Sequence, residues 1–447
     1  MRHALIPITL LTCYITLCAQ DSAPFYAQAE TYTLEKCLSI GLERNYSLRI
    51  VHNEAQISSN NATPGNAGYL PTIDLSGGLS GTQYSYNYNY ANGTTGKDKN
   101  INNETANLGV NMNWTLFDGF GIQADYSRLK ELEMMGRLNL RLAIENLTTN
   151  IAAEYYNLVR QRIRLKNLRS AVQLSRERLR IVEERYITGS MSGLDLQTAT
   201  VYFNADSSRL LTQIEAVNSS MIHLNRLMGL DSVNAVIAVH DTIPLNTALN
   251  EVVLWEKTLA DNASLLATNK NKTLSELDYR KIRSRNYPYV RLNAGYGYAA
   301  NWYESGTVEL QHRIGLNYGV TVGLTLFNGM NRQREQHNAR IQLQNSELRI
   351  QDLELALKAD LANLWMAYRN NLELRELEHE NLIVAKNNYE IAFERYIVGD
   401  LAGIQLREAQ NSLLEAEERL SIAEYNTKLC EISLLQLSGQ ILTYLSE

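Results

Sequence analysis

Proline is scarce in this chain of 447 residues: Pro7, Pro24, Pro64, Pro71, Pro244 and Pro288 are all there is, leaving 72–243 and 289–447 free of it. An interior proline costs a helix about 3 kcal/mol or more, so both stretches can hold long unbroken helices. Phenylalanine is equally rare, six against twenty-six tyrosines. That skew suits surfaces that are apolar on one side and wet on the other. No apolar run of about eighteen residues follows Leu17, which excludes transmembrane helices. Neither sign of charge dominates: the net charge is −6, acids and bases are interspersed, and no basic face marks a nucleic-acid partner. The seven histidines include no pair at metal-ligand spacing, and no cysteine has a CxxC partner. Phosphate loops, dinucleotide fingerprints and nucleophile elbows are also missing. An enzyme, a metal centre and a bound cofactor are therefore not expected.

Two of the four cysteines, Cys13 and Cys18, fall in an N-terminal export signal with Arg2 as its positive end and Ala4 to Leu17 as its apolar core. Cleavage is expected after Ala19, with Ala27-Gln28-Ala29 as the second choice. Thr12 and Leu17 precede the two cysteines, where a lipidation signal wants a small residue. The remaining pair, Cys37 and Cys430, sit in amphipathic patterns and read as small core residues. A disulfide between them is the alternative in an oxidising compartment.

What the chain does have, it has twice. Arg185-Tyr186-Ile187-Thr188-Gly189 returns as Arg395-Tyr396-Ile397-Val398-Gly399, and Leu116-Phe117-Asp118-Gly119 as Leu326-Phe327-Asn328-Gly329. A shift of 210 positions relates both pairs (185 to 395, 116 to 326). A period this long marks a duplicated domain. The repeats are expected over 30–230 and 248–440, joined by 231–247.

Each repeat holds two segments of period two. Leu108, Val110, Met112, Trp114 and Leu116 alternate with Gly109, Asn111, Asn113 and Thr115; Ile314 to Leu326 alternate with Gly315, Asn317, Gly319, Thr321, Gly323 and Thr325. The alternation predicts strands at about 72–90, 105–117, 289–300 and 312–327, with polar loops at 91–106 and 300–312. A soluble sheet turns charged residues to water; here the second face is glycine, asparagine and threonine, as in the wet interior of a membrane barrel. Ten tilted residues cover an apolar band of roughly 25 Å. Four strands cannot close, and open edges in lipid cost several kcal/mol per unpaired group. Two copies would give eight strands with a filled interior; three give twelve, wide enough for water. A trimeric barrel follows.

Helices fill the rest. From 118 to 186 no proline interrupts about 100 Å of helix, and Ile144, Ile151, Leu158, Leu165, Val172, Leu179 and Tyr186 recur every seventh position. Glu154, Gln161 and Ser175 interrupt the second seam position. Asp118 and Asn328 are placed to cap the long helices. Gly189–Gly193 and Gly399–Gly403 turn the chain back, giving helical hairpins over 118–229 and 328–438.

This order (helix, strand hairpin, long helix, Arg-Tyr-x-x-Gly tip, returning helix ending in Leu-x-Gly, then all again) resembles the TolC family of outer-membrane efflux proteins over about 30–440. The resemblance implies a mainly α fold with transmembrane β, in which four strands per chain build a trimeric twelve-stranded outer-membrane barrel continued by an α-helical periplasmic tunnel. It implies a passive exit duct working with a periplasmic adaptor and an inner-membrane transporter, in a tripartite efflux pump or, alternatively, type I protein secretion. A soluble periplasmic coiled-coil scaffold is the reading from a different class.

The same resemblance assigns the entrance. Asp195 takes a gate position and Tyr396 that of the tyrosine hydrogen-bonded to it; Glu408 takes one entrance-ring position. The family's gate arginine is replaced by Leu401 and its other ring carboxylate by Gln405. Arg407 is adjacent to Glu408, but neighbours in a helix do not share a face. Arg185, Tyr186, Gly189, Arg395 and Gly399 are the expected adaptor-docking tips. Tyr186 and Tyr396 also close a heptad seam, so packing is expected of both.

Overall fold

A computed structural model defines the fold over residues 31–442, and the export signal expected at 1–19 lies outside the described residues. The first repeat runs α1 (Leu34–Arg44), α2 (Tyr46–Asn61), α3 (Pro64–Ala67), β2 (Thr72–Asn89), β3 (Thr95–Phe117), α4 (Gly121–Ile187) and α5 (Gly193–Met228). The second runs α6 (Glu251–Asp261), α7 (Ala263–Ser284), β5 (Tyr289–Tyr303), β6 (Leu310–Gly323), α8 (Asn331–Ile397) and α9 (Gly403–Leu437). A short strand in front of the first repeat, β1 (Thr31–Tyr32), pairs in parallel with β4 (Ala238–Val239), tying the segment between the repeats back to the chain's first described residues.

The duplication extends to backbone detail. Both long helices have 67 residues. Each is entered through two consecutive left-handed residues, Gly119–Phe120 and Gly329–Met330. The expected caps act from just upstream: Asp118 Oδ1 accepts from the Ile122 amide at 3.0 Å and Asn328 Oδ1 from that of Arg332 at 3.4 Å. At the other end of each returning helix a second joint recurs. Asn45 donates to the Leu227 carbonyl and Asn262 to that of Leu437, both at 2.9 Å. Here Gly229 (φ +69°) and Gly439 (φ +69°) have no room for a side chain: a Cβ would lie 2.9 Å from the Arg44 oxygen and 2.6 Å from the Asp261 oxygen. The main core packs α1, α4, α5 and the end of α9 around Ile151, Leu158, Val159, Leu224 and Met228. Cys37 belongs to this core, Cys430 packs against a second cluster around Leu434, and both are free thiols.

The four long strands form one antiparallel sheet in the order β2-β3-β5-β6, and its register sorts chemistry by face. Ile73, Met112, Ala294 and Tyr318 lie in one row, with Leu75, Val110, Tyr296 and Leu316 in the next. The opposite face reads Asp74, Asn111, Gly295, Asn317 and then Ser76, Gly109, Gly297, Gly315. Among the described residues nothing covers the apolar face, and Tyr318 is 81% exposed.

The strand limits depart from expectation, most at two places, while β5 runs on to Tyr303 and β6 starts at Leu310. β3 begins at Thr95, so most of the expected loop at 91–106 is strand, and the turn narrows to Tyr90–Thr94. The tyrosines of β2 supply the partner that local composition hides: Tyr86 pairs Asp98 and Tyr88 pairs Gly96. β6 ends at Gly323 rather than 327 because β5 starts at its partner, Tyr289. The Thr325 and Leu326 carbonyls are taken instead by the Arg332 guanidinium.

Candidate entrance site

Far from the sheet, the α4–α5 and α8–α9 turns lie side by side. Gly189 (φ +77°) and Gly399 (φ +84°) sit in left-handed backbone, and a Cβ on either would meet nothing within 4 Å. The turns need glycine for the dihedral rather than for space. Both tips expose apolar side chains: Ile187 and Leu194 on the first, Val398 and Ile404 on the second.

One residue makes the tips differ. Arg395 is paired with Asp400 of its own turn at 2.9 Å. The equivalent of Asp400 in the first repeat is Ser190, which offers Arg185 no charge. Arg185 instead crosses to the second tip, donating to the Ile397 carbonyl at 2.9 Å with its guanidinium 5.6 Å from the centre of the Tyr396 ring. Tyr396 is accordingly buried (1% exposed) among Ala392, Leu406, Ala409, Phe393 and Leu401. Its counterpart Tyr186 is 47% exposed, contrary to the packing expected of both. Leu401, where the family arginine is expected, therefore fills an apolar pocket.

The expected Asp195–Tyr396 hydrogen bond is not formed. Asp195 closes a capping box on α5, its carboxylate accepting from the Ser192 amide (3.1 Å) and hydroxyl (2.7 Å). Those hydrogen bonds hold its pKa below the ordinary aspartate value. The Tyr396 hydroxyl has no hydrogen-bond partner among the described residues, and burial pushes its pKa up. Gln405 and Glu408 are both exposed on the first turns of α9.

A buried ionic link between the two hairpins lies farther from the tips. Arg407 grips Asp206 with both terminal nitrogens, at 2.6 and 2.8 Å, across from α9 to α5. Asp206 is 1% exposed and the Arg407 side chain 6%. Ser175 of α4 donates to the same carboxylate, and Gln410 accepts from Arg407 at 3.2 Å and donates to the Ala171 carbonyl at 3.3 Å. The Arg407 and Arg178 guanidiniums lie 5.0 and 4.9 Å from the centre of the Tyr202 ring. Burial alone would raise the Asp206 pKa, but hydrogen bonds from Arg407 and Ser175, with the charges of Arg407 and Arg209, outweigh it and hold it low. Arg178 is lowered by its burial and by Arg407.

Sequence reasoning missed Asp206, Arg178 and Gln410, and it left Arg407 without a partner. A signal was available. Each polar break in the α4 seam has a polar answer on α5: Glu154 accepts from Ser220 at 2.5 Å, Gln161 from Gln213 at 2.7 Å, and Ser175 meets Asp206. Among the described residues no group of three His, Cys, Asp or Glu could hold a metal ion, and no helix is long and apolar enough to cross a membrane.

Comparison with known proteins agrees with this architecture. A family model described as outer membrane efflux protein matches residues 38–230 and 254–440. Outer membrane protein TolC of Vibrio cholerae is 24% identical over 308 residues, covering 66% of this chain and 68% of its own length. The fold is shared with the outer membrane protein VceC of Vibrio cholerae (TM-score 0.73, 17% identity, 91% of this chain and 96% of that one). It is shared also with the CmeC outer membrane channel of Campylobacter jejuni (TM-score 0.73, 15% identity, 98% and 94%). The chain belongs to the outer membrane efflux protein family, and it is an outer-membrane efflux channel whose helices extend into the periplasm as a tunnel.

Proposed function

We propose that three copies of the chain close one twelve-stranded barrel, and that this duct passively conducts substrates delivered by a tripartite efflux pump. The carrying observation is a four-stranded sheet with one apolar face, one small polar face and two edges, β2 and β6, that no described strand pairs. In lipid those edges must pair, and the arrangement that lets β6 of one copy join β2 of the next leaves the apolar rows to the membrane and the Gly/Asn/Thr rows to water. Helices α4, α5, α8 and α9 then continue the duct as its periplasmic tunnel.

The exposed apolar tips favour docking of a periplasmic adaptor through the turns that carry Arg185, Tyr186, Gly189, Arg395 and Gly399, because apolar clusters rimmed by charge mark partner surfaces. An inner-membrane transporter supplies the energy. Gln405 and Glu408 face the entrance, with Asp195 as the cap that shapes the first turn. Asp206–Arg407 takes over the task of holding the hairpins together at the closed end.

Native mass spectrometry of the detergent-solubilised protein tests the assembly. The mass of three chains is expected; a stable monomer that needs no detergent and keeps its sheet would overturn the reading.

A further inference from the structure

The polar face of the sheet changes size along its height. Its middle rows are Ser76, Gly109, Gly297, Gly315 and Gly78, Asn107, Ala299, Arg313. Toward the strand turns they become Thr82, Asn103, Tyr303 and finally Tyr84, Ile101. On β2 the bulky residues sit at odd positions as far as Leu79 and at even positions from Tyr84 onward. Pairing is unbroken from Thr72 to Tyr84, so at Tyr84 the bulk has moved from the apolar face to the polar one; the register shifts just beyond it, and Tyr86 stays on that side by packing on Tyr84.

These rings are held in place. The Asn103 amide donates to the Tyr84 hydroxyl, and the Tyr84 and Tyr86 rings pack with centroids 4.5 Å apart. The Tyr303 hydroxyl donates to Gln311 Oε1 at 3.2 Å. Ile101, the strand partner of Tyr84, is 6% exposed. Above this level β5 has ended, and the β2–β3 ribbon goes on alone with Tyr88 laid over Gly96 and bonded to Asp98 at 3.0 Å.

We infer that Tyr84, Tyr86 and Tyr303 of three copies form a phenol ring that constricts the outer mouth and sets the size of solute that passes it. The inference rests on the trimeric barrel with the polar face as its lumen. Twelve strands spaced about 4.8 Å apart and tilted about 40° enclose a backbone radius of roughly 12 Å. Glycine rows leave that cross-section open, whereas inward phenols at one height take a large share of it. Amphipathic rings also favour solutes with a flat apolar face over compact, strongly hydrated ions.

The test reads access from outside, so the state of the periplasmic entrance does not affect it. A thiol is placed below the ring in the S76C variant, and intact cells are treated with a small methanethiosulfonate or a bulky maleimide-terminated polyethylene glycol. The expected result is modification by the small reagent alone, with bulky labelling rising by more than an order of magnitude when Tyr84→Ser, Tyr86→Ser and Tyr303→Ser are added. Tyrosine-to-phenylalanine changes at the same positions should preserve exclusion. Equal bulky labelling with and without the phenols would overturn the ring while leaving the barrel intact. Failure of the small reagent on S76C, with labelling of L75C on the apolar face instead, would overturn the lumen assignment itself.

Discussion

Replacing Arg407 by methionine should loosen the closed entrance. The change removes the guanidinium that contacts both Asp206 oxygens and leaves a carboxylate at 1% exposure with the Ser175 hydroxyl and the more distant Arg209, 3.7 Å away. Removing one partner of a buried ion pair costs about 3–5 kcal/mol, because the survivor stays desolvated and unpaired. If that pairing belongs to the closed state alone, about 3 kcal/mol shifts the closed-to-open ratio by roughly a hundredfold per latch. Planar-bilayer recordings of the purified trimer should show higher single-channel conductance and longer open dwell times. Acid should imitate the mutation only at extremes. The folded carboxyl of Asp206 is held below its unfolded value of about 3.9, so its contribution is full above that value and lost as pH falls through the lower folded one. Conductance should therefore stay flat from about pH 5 to 8. A Leu substitution at Asp206 in the R407M background should recover most of the lost stability, since an apolar pair can replace a buried ionic one. Unchanged conductance in R407M, with a lowered melting temperature, would show that the pair serves the scaffold and not the entrance.

Two further outcomes follow from the same geometry. Gly439→Ala should lower the melting temperature far more than Gly399→Ala: both need left-handed backbone, at roughly 1–2 kcal/mol for an L side chain, but only at Gly439 would the new methyl strike a carbonyl. Thermal unfolding in detergent measures the difference, and equal losses would contradict the packing of that joint. Cys37 and Cys430 should both be titratable as free thiols in denaturant. In the native protein Cys37 should resist alkylation, because burial pushes its pKa up to about 12.

Local pattern carried the parts of the fold that depend on nearest neighbours. The heptads of α4, the alternation along β6 and the tip glycines were legible because helix and strand periodicities write themselves into consecutive residues. The start of β3 was not, since Thr95 to Asn103 is rich in Gly, Asn, Asp and Lys and becomes strand only against the tyrosines of β2. The different fates of Tyr186 and Tyr396 were hidden for a similar reason. Their own motifs are nearly identical, and the asymmetry arises from Ser190 against Asp400, which decides where an arginine goes. Asp206 and Arg407 lie 201 positions apart, and neither periodicity nor a short motif relates such residues.

The twin joints at Asn45–Leu227 and Asn262–Leu437 give the helical hairpins fixed pivots at the ends remote from their tips. A returning helix of 36 residues reaches about 54 Å from such a pivot, so a tilt of about 5° would carry its far end through roughly 5 Å. Leverage of that kind lets a partner widen the entrance substantially while the packing around Ile151 and Leu224 scarcely deforms.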